Sequence, residues 1–192
     1  MQKINSITIH GGHNPAGKIA CGASDYIDES TEDRIIVKKV IALLKKHNIK
    51  AYDCTVNNGK SQNDVLKKIC DKCNAKERDL DISVHFNAAG HTKKDGKTLG
   101  TEVWVKSLDG IRGNVAKRIC NQLSKIGFKN RGVKISNNLY VLNHTNKPAI
   151  LIEVCFVTDY DDAKLYNENK DEVAKRIVNA ILNYNKSLSA KQ

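Results

Sequence analysis

The run Ala149-Ile150-Leu151-Ile152-Glu153-Val154-Cys155-Phe156-Val157 decides the fold, and every residue in it except Glu153 is apolar. A strand that is apolar on both faces is typical of the interior of a sheet covered by helices. An ionised carboxylate in such a strand is costly unless a cation or hydrogen bonds compensate for its lost hydration. The sequence therefore predicts a positive partner, a raised pKa or a water-filled cleft at Glu153.

Strand-like and helix-like segments alternate along the rest of the chain. We predict strands at Ser6–Ile9, Ile49–Thr55, Asp79–Asn87, Thr101–Val105, Leu139–Leu142 and Ala149–Val157. We predict amphipathic helices between the acidic segment at Asp28 and His47, and at Gln62–Ala75, Ile111–Ile126, Asp159–Tyr166 and Lys170–Tyr184. This order indicates a single three-layer α/β domain, with a largely parallel sheet of about six strands and helices on both faces. The expected domain covers residues 1–186, and residues 187–192 form a frayed tail.

The charge of the chain restricts its partners. A formal net charge of +11 predicts attraction to polyanions, including the anionic polymers of a bacterial cell wall. Aromatic residues make up only 5% of the chain, and no basic stretch carries the interleaved aromatic residues of a base-stacking surface. We therefore expect no nucleic-acid partner, and we expect a monomer.

The chain shows neither a signal peptide nor an apolar run long enough to span a bilayer. The expectation is a protein made in the cytoplasm, without membrane insertion. It would reach the cell wall after release during lysis or by a non-classical route of secretion.

The six cysteines have no spacing that indicates a disulfide framework. Cys70 and Cys73 form a CxxC pair, but the pair falls inside a helical pattern and no second pair accompanies it. We interpret them as two helix residues and not as a zinc or redox site.

Three polar groups are expected at the carboxyl ends of parallel strands, where α/β proteins place their sites. They are His13 in a glycine-containing loop, His85 near a strand end, and Glu153. Two histidines and a carboxylate around an open position are the ligands of a hydrolytic zinc site, and a further carboxylate can take the proton of water. Residue types alone leave this open, because His85 also fits a hydrogen-bonded strand residue, and His10 competes with His13.

An ordered set of motifs adds a family resemblance. The motifs are Gly12-His13, Asp28-Glu29, Ser83-Val84-His85-Phe86-Asn87-Ala88, Gly100-Thr101-Glu102-Val103-Trp104, Asn130-Arg131-Gly132-Val133-Lys134 and Leu151-Ile152-Glu153-Val154-Cys155-Phe156-Val157. In this order the chain resembles the zinc N-acetylmuramoyl-L-alanine amidases of the amidase 3 family, especially the catalytic domains of phage and clostridial endolysins. The resemblance runs from about Ile7 to Tyr184.

The resemblance implies that His13, Glu29 and His85 bind one zinc ion and that Glu153 is the catalytic acid/base. The implied reaction is hydrolysis of the amide between the lactoyl group of N-acetylmuramic acid and L-alanine of the peptidoglycan stem, a cell-wall-degrading activity. We expect Asn87 and Arg131 to contact the substrate.

Several alternatives stay open at this stage. The first histidine is followed by Asn14-Pro15-Ala16-Gly17 and not by the longer glycine-rich sequence of many relatives, so His10 and Glu32 remain alternatives to His13 and Glu29. Glu102 is expected to support the structure or the site, without a catalytic role. A zinc carboxypeptidase or another peptidoglycan amide hydrolase is a rival function. A non-catalytic basic wall-binding module would explain the charge but not Glu153.

Overall fold

A computed structural model describes residues 2–90 and 94–189 of the chain. One sheet has the strand order β2-β1-β3-β6-β4-β5. The strands are β1 (Ser6–Gly11), β2 (Lys50–Asp53), β3 (Leu80–Asn87), β4 (Thr101–Val105), β5 (Asn130–Ile135) and β6 (Ala149–Phe156). The helices are α1 (Glu29–Lys46), α2 (Gln62–Asn74), α3 (Gly110–Leu123), α4 (Tyr140–His144) and α5 (Tyr160–Ser189), with a short 3₁₀ turn at Ser124–Ile126.

Helices cover both faces of the sheet. On one face α5 packs between α1 and α3, and on the other α2 packs against α4. The side chains of Ile150, Ile152 and Val154 in β6 are fully buried in the larger core, which also holds the apolar faces of α1, α3 and α5. The predicted three-layer α/β fold with a largely parallel six-stranded sheet is confirmed.

The direction of the strands determines where the site lies. β2, β1, β3 and β6 are all parallel, so the carboxyl ends of β1, β3 and β6 meet at one edge of the sheet. β4 runs antiparallel to β6, and β5 runs parallel to β4. The amino end of β4 therefore lies at the same edge as the carboxyl ends of β3 and β6.

The prediction of a strand at Leu139–Leu142 is wrong. Leu139 is the N-cap residue of α4. Val141 and Leu142 belong to that helix, and their side chains are buried. The sixth strand is instead β5, a segment to which the sequence analysis assigned no strand. β5 is an edge strand with mostly half-buried or exposed residues, so it lacks the apolar alternation that marks a strand in a sequence.

The two predicted carboxy-terminal helices meet at a kink. Within α5 the backbone of Asn169 departs from helical geometry, with φ −132° and ψ 22°, between the two predicted helical segments. The helix α5 continues through the first residues of the predicted tail to Ser189, and Arg118 Nη2 donates to the hydroxyl oxygen of Ser187 at 3.1 Å. Residues 190–192 of that tail lie outside the described residues.

Cys70 and Cys73 lie buried on α2, as predicted, and both are free thiols. Within residues 2–90 and 94–189, no helix combines the length and the apolar character needed to cross a bilayer.

A buried ion pair joins the start of β3 to the preceding turn. Arg78 donates from Nε and Nη2 to the two carboxylate oxygens of Asp81, each at 2.8 Å. Thr8 on β1 also donates to Asp81. Both charged side chains are almost completely buried, so each depends on the other for compensation.

We expect Arg78→Ala to lower the free energy of unfolding by about 3–5 kcal/mol, because it leaves the buried Asp81 carboxylate without its cation. Lys175→Ala is the matched control, since Lys175 pairs with Glu172 at the surface at 3.6 Å, and its loss should cost at most about 1 kcal/mol. Urea denaturation of both variants measures the difference. Equal losses would contradict a stabilising role for the buried pair.

Candidate metal centre and cleft

The structure brings together the three residues that the sequence predicted as zinc ligands. His13 follows β1, Glu29 is the first residue of α1, and His85 lies on β3. Glu29 Oε1 lies 3.2 Å from His13 Nε2 and 3.1 Å from His85 Nδ1. One ligand atom from each residue lies within 4.8 Å of the other two. Two imidazole nitrogens and one carboxylate oxygen thus converge on a common point, the donor set that zinc prefers.

The Glu29 carboxylate is held in place by the backbone. Its Oε2 accepts from the backbone N–H of Ala23 at 2.9 Å, and its Oε1 accepts from that of Phe86 at 3.1 Å. Burial alone would raise the pKa of Glu29, but hydrogen bonds and charge from His13 and His85 outweigh it and hold the pKa well below the ordinary value. Glu29 is therefore ionised and available as an anionic ligand near neutral pH.

The amino end of α1 places Glu29 at this point. Asp28 caps the helix, because its Oδ1 accepts from the backbone N–H of Thr31 at 2.8 Å. Gly22 lies directly opposite Glu29, with a φ of +79°. A Cβ on it would lie 2.5 Å from Glu29 Oε2. Only glycine fits that conformation and that space without strain.

The two histidines differ in their electrostatics. Burial lowers the pKa of His13, but its hydrogen bond to Glu29 and the charge of that carboxylate reverse the effect, so the pKa is raised. For His85 burial dominates and the pKa is lowered, although Glu29 opposes the shift. His85 is the more readily neutral of the two rings, as a metal ligand must be.

Arg34 on α1 fixes the loop that carries His13, and sequence reasoning missed it. Its Nη2 donates to the carbonyl oxygens of His13 at 2.7 Å and Val56 at 2.9 Å, and its Nη1 donates to that of Ser30 at 2.7 Å. A single arginine among the many basic residues of the sequence gives no signal of such a role.

The alternatives His10 and Glu32 lie outside the cluster. The His10 ring is fully buried beside the carbonyl of Gly11, and burial together with the charge of His85 lowers its pKa to about 3. Glu32 accepts from the Tyr166 hydroxyl and from Lys170 Nζ, each at 2.8 Å, on the side of α1 that faces α5. The geometry favours His13 and Glu29.

Glu153 lies beside His85 in the register of β3 and β6. It is half-buried, and its buried Oε2 has no hydrogen-bond partner among the described residues. Burial, followed by the charges of Glu29 and Glu102, raises the pKa of Glu153 to about 8. The otherwise apolar strand β6 thus accommodates the Glu153 carboxyl group through a raised pKa and a position at the wall of a cleft.

Glu102 joins the two residues that were predicted to contact the substrate. Its Oε1 accepts from Asn87 Nδ2 at 3.0 Å and from Trp104 Nε1 at 3.2 Å, and its Oε2 accepts from Arg131 Nε at 2.7 Å. Asn87 lines the cleft, whereas Arg131 lies behind Glu102, with its guanidinium over the Phe156 ring. Glu102 is thus a support for the site, as expected.

The cleft has a volume of about 380 Å³ and two unlike walls. The polar wall consists of the three candidate metal ligands, His13, Glu29 and His85, together with Glu153 and Asn87. Leu66 of α2 together with Leu139, Tyr140 and Val141 at the start of α4 form an apolar wall. The sequence did not predict this apolar wall, because the segment before α4 was assigned to a strand.

The whole arrangement matches a known protein family. The family model described as N-acetylmuramoyl-L-alanine amidase matches residues 7–183, which is most of the chain. The chain belongs to the N-acetylmuramoyl-L-alanine amidase family. The resemblance predicted from the ordered motifs is confirmed.

Relatives in this amidase family include longer proteins. An uncharacterized 38.4 kDa protein of Clostridium perfringens is 38% identical over 190 residues, which cover 96% of this chain and 53% of the relative. The endolysin of Bacillus phage SPP1 is 32% identical over 171 residues, covering 85% of this chain and 59% of the endolysin. The chain therefore spans only a little over half the length of these curated relatives.

A solved structure shows the same fold. The catalytic domain of an endolysin targeting Clostridia difficile superposes with a TM-score of 0.82 at 27% identity, covering 93% of this chain and 97% of that domain.

We expect Gly12→Ala to abolish tight metal binding by this cluster. A Cβ on Gly12 would lie 1.8 Å from His85 Cε1 and 2.0 Å from His85 Nε2, so the ring must leave its position. Gly90→Ala is the matched control, because a Cβ there meets nothing within 4 Å among residues 2–90 and 94–189. Competition with a chromophoric chelator measures zinc affinity in both variants. Wild-type affinity in Gly12→Ala would contradict this placement of His85.

The raised pKa of Glu153 predicts a pH-dependent stability of the metal-free protein. Between the ordinary pKa and about 8 the folded state holds a proton that the unfolded state has lost, so stability falls as pH rises through this window. Glu153→Gln removes that dependence, and its stability relative to wild type should rise by up to about 1.4 kcal/mol per pH unit.

Urea denaturation in the presence of a chelator, at steps between pH 5 and pH 8.5, measures the two slopes. Comparing the variant with wild type cancels the contributions of the other titrating groups. Parallel curves would show that the pKa of Glu153 is not raised in the folded protein.

Proposed function

We propose that this protein is a zinc-dependent N-acetylmuramoyl-L-alanine amidase. It hydrolyses the amide that joins the lactoyl group of N-acetylmuramic acid to L-alanine of the peptidoglycan stem. The observation that carries the proposal is the convergence of two imidazoles and one carboxylate beside a second carboxylate, Glu153, whose Oε2 has no partner among the described residues. Membership of the N-acetylmuramoyl-L-alanine amidase family supports this amide as the bond that is hydrolysed.

In this proposal His13, Glu29 and His85 hold one zinc ion. A pre-organised metal site needs ligands that are fixed in position. Two backbone N–H groups hold Glu29, and Gly12 and Gly22 pack directly against the His85 and Glu29 side chains. When bound, zinc supplies Lewis acidity, which polarises a carbonyl oxygen and makes water nucleophilic near neutral pH.

Glu153 moves the proton in the proposed reaction. As a carboxylate it accepts a proton from the attacking water as the new C–O bond forms. It then delivers that proton to the L-alanine nitrogen as the C–N bond breaks. The products are a lactoyl carboxylate on the glycan and a free amine on the peptide. A cation held by His13, Glu29 and His85 would favour the ionised form of Glu153, which the metal-free protein disfavours near neutral pH.

We propose that Asn87 and Arg131 contact the substrate, Asn87 from the polar wall of the cleft and Arg131 from its position behind Glu102. The Asn87 amide uses one hydrogen toward Glu102 and accepts from the backbone N–H of Ala88 at 2.8 Å. Its second hydrogen remains for a substrate carbonyl. Arg131 is half-buried and donates to Glu102 through Nε and to the carbonyl oxygen of Leu99 through Nη1 at 3.4 Å. Its Nη2 is then the nitrogen proposed to meet an anionic group of the substrate.

The proposal extends to cellular context. The net charge of +11 suits a protein that works on an anionic cell wall as a monomer, without inserting into a membrane or binding nucleic acid. Its action on the wall follows release from the cytoplasm.

Mass analysis of the products from purified peptidoglycan tests the activity. We expect the wild type to release stem peptides that begin with a free L-alanine amine. Glu153→Gln should lower the rate at least about 100-fold while zinc content is retained, because only the proton transfer is removed. Glu77→Gln, which changes an exposed carboxylate, should leave the rate unchanged.

Two other outcomes identify the rival functions. Release of single amino acids with the lactoyl–alanine bond intact would indicate a carboxypeptidase. Wall binding without any new amine or carboxylate would indicate a non-catalytic module. Either result would overturn the amidase proposal.

A further inference from the structure

The ring of His85 is held from both of its nitrogens. Nδ1 faces Glu29 at 3.1 Å, and Nε2 lies 3.0 Å from the hydroxyl oxygen of Ser83. Ser83 precedes His85 by two residues on β3, so both side chains project from the same face of the strand. The Ser83 side chain is completely buried, so the protein and not bulk water provides the environment of this contact.

Gly12 holds the ring against Ser83. The space where a Gly12 side chain would lie is filled by the Cε1 and Nε2 edge of the His85 ring. The ring thus lies between a backbone segment and a hydroxyl group, and it cannot turn away from Ser83 without a shift of the loop after β1. The Ser83 hydroxyl oxygen also lies 3.5 Å from His10 Nδ1. The His10 side chain is fully buried, so a second buried side chain borders Ser83.

A hydroxyl suits this place because it can either donate or accept. In the metal-free protein Nδ1–H can donate to the Glu29 carboxylate, and the Ser83 hydroxyl then donates to the lone pair of Nε2. When Nδ1 is a metal ligand its proton is displaced to Nε2, and the ring remains neutral. The Ser83 hydroxyl then rotates and accepts the hydrogen bond from Nε2–H. No proton is gained or lost by the ring in this exchange of tautomers.

We propose that Ser83 is a positioning residue for the metal centre. In the tautomer that can bind a metal, Ser83 accepts from Nε2–H and holds the His85 ring so that the Nδ1 lone pair faces the point shared with His13 and Glu29. Partners of this kind orient metal-ligating imidazoles and increase their basicity, and their loss commonly lowers metal affinity 10- to 100-fold. The inference rests on the proposed function only in taking zinc as the ion.

Zinc affinity measured by competition with a chromophoric chelator tests this inference without any assay of activity. Ser83→Ala should bind zinc about 10- to 100-fold more weakly than wild type. Ser83→Thr retains the hydroxyl and should restore affinity to within about threefold, which general damage to the strand would not do. If Ser83→Ala fails to fold, Ser83→Cys replaces it, because a thiol keeps the volume but forms weak hydrogen bonds.

Thr8→Val is the matched control. It removes another fully buried hydroxyl, from the neighbouring strand β1, where Thr8 contacts Asp81 and not a residue of the metal centre. We expect its zinc affinity to equal that of wild type. Thermal unfolding of the metal-free variants reports their stability independently of zinc.

The outcomes separate this inference from the proposed function. Wild type that binds no zinc would overturn the proposed function. Tight binding by wild type with equal affinity in Ser83→Ala would overturn the role of Ser83 and leave the proposed function standing. Equal losses in Ser83→Ala and Thr8→Val, or no recovery in Ser83→Thr, would also overturn it.

Discussion

The site depends on one carboxylate, that of Glu29. Its two oxygens accept hydrogen bonds from the backbone at Ala23 and Phe86 and face the imidazoles of His13 and His85. One side chain therefore connects the loop after β1, the first turn of α1 and the end of β3. A buried anion needs this many partners, because each hydrogen bond or positive charge offsets part of its lost hydration. The same requirement that stabilises the folded chain also gathers the donor atoms of a metal site.

Most of the fold could be predicted from apolar periodicity, and the failures have a physical cause. The strands β1, β3 and β6 were recognisable because burial on one or both faces imposes a pattern on their residues. Short segments carry too few residues to distinguish a strand from a helical turn, which is why Leu139–Leu142 was misassigned. The edge strand β5 is stabilised by backbone pairing with β4 and not by buried side chains, so its sequence carries little signal.

The site was predictable as a set of residues but not as a geometry. The family resemblance carried by the ordered motifs was enough to name His13, Glu29, His85 and Glu153. The structure places these residues together, while their chemical roles stay predictions. The sequence could not indicate which nitrogen of each ring faces Glu29, because this depends on close packing around the rings. Nor could it show that Glu102 joins Asn87 to Arg131, because that contact requires β4 to run antiparallel to β6, and periodicity does not encode strand direction.

The reversed direction of β4 has a consequence for how such proteins diversify. The carboxyl end of β3 and the amino end of β4 lie at the same edge of the sheet, so the chain between them need not cross a face of the domain. Extra residues inserted into this connection would add little loop-closure entropy and would leave the packed layers intact. Evolution can therefore lengthen or shorten the rim of the cleft separately from its floor, and so change which ligands gain entry while the residues beneath stay the same.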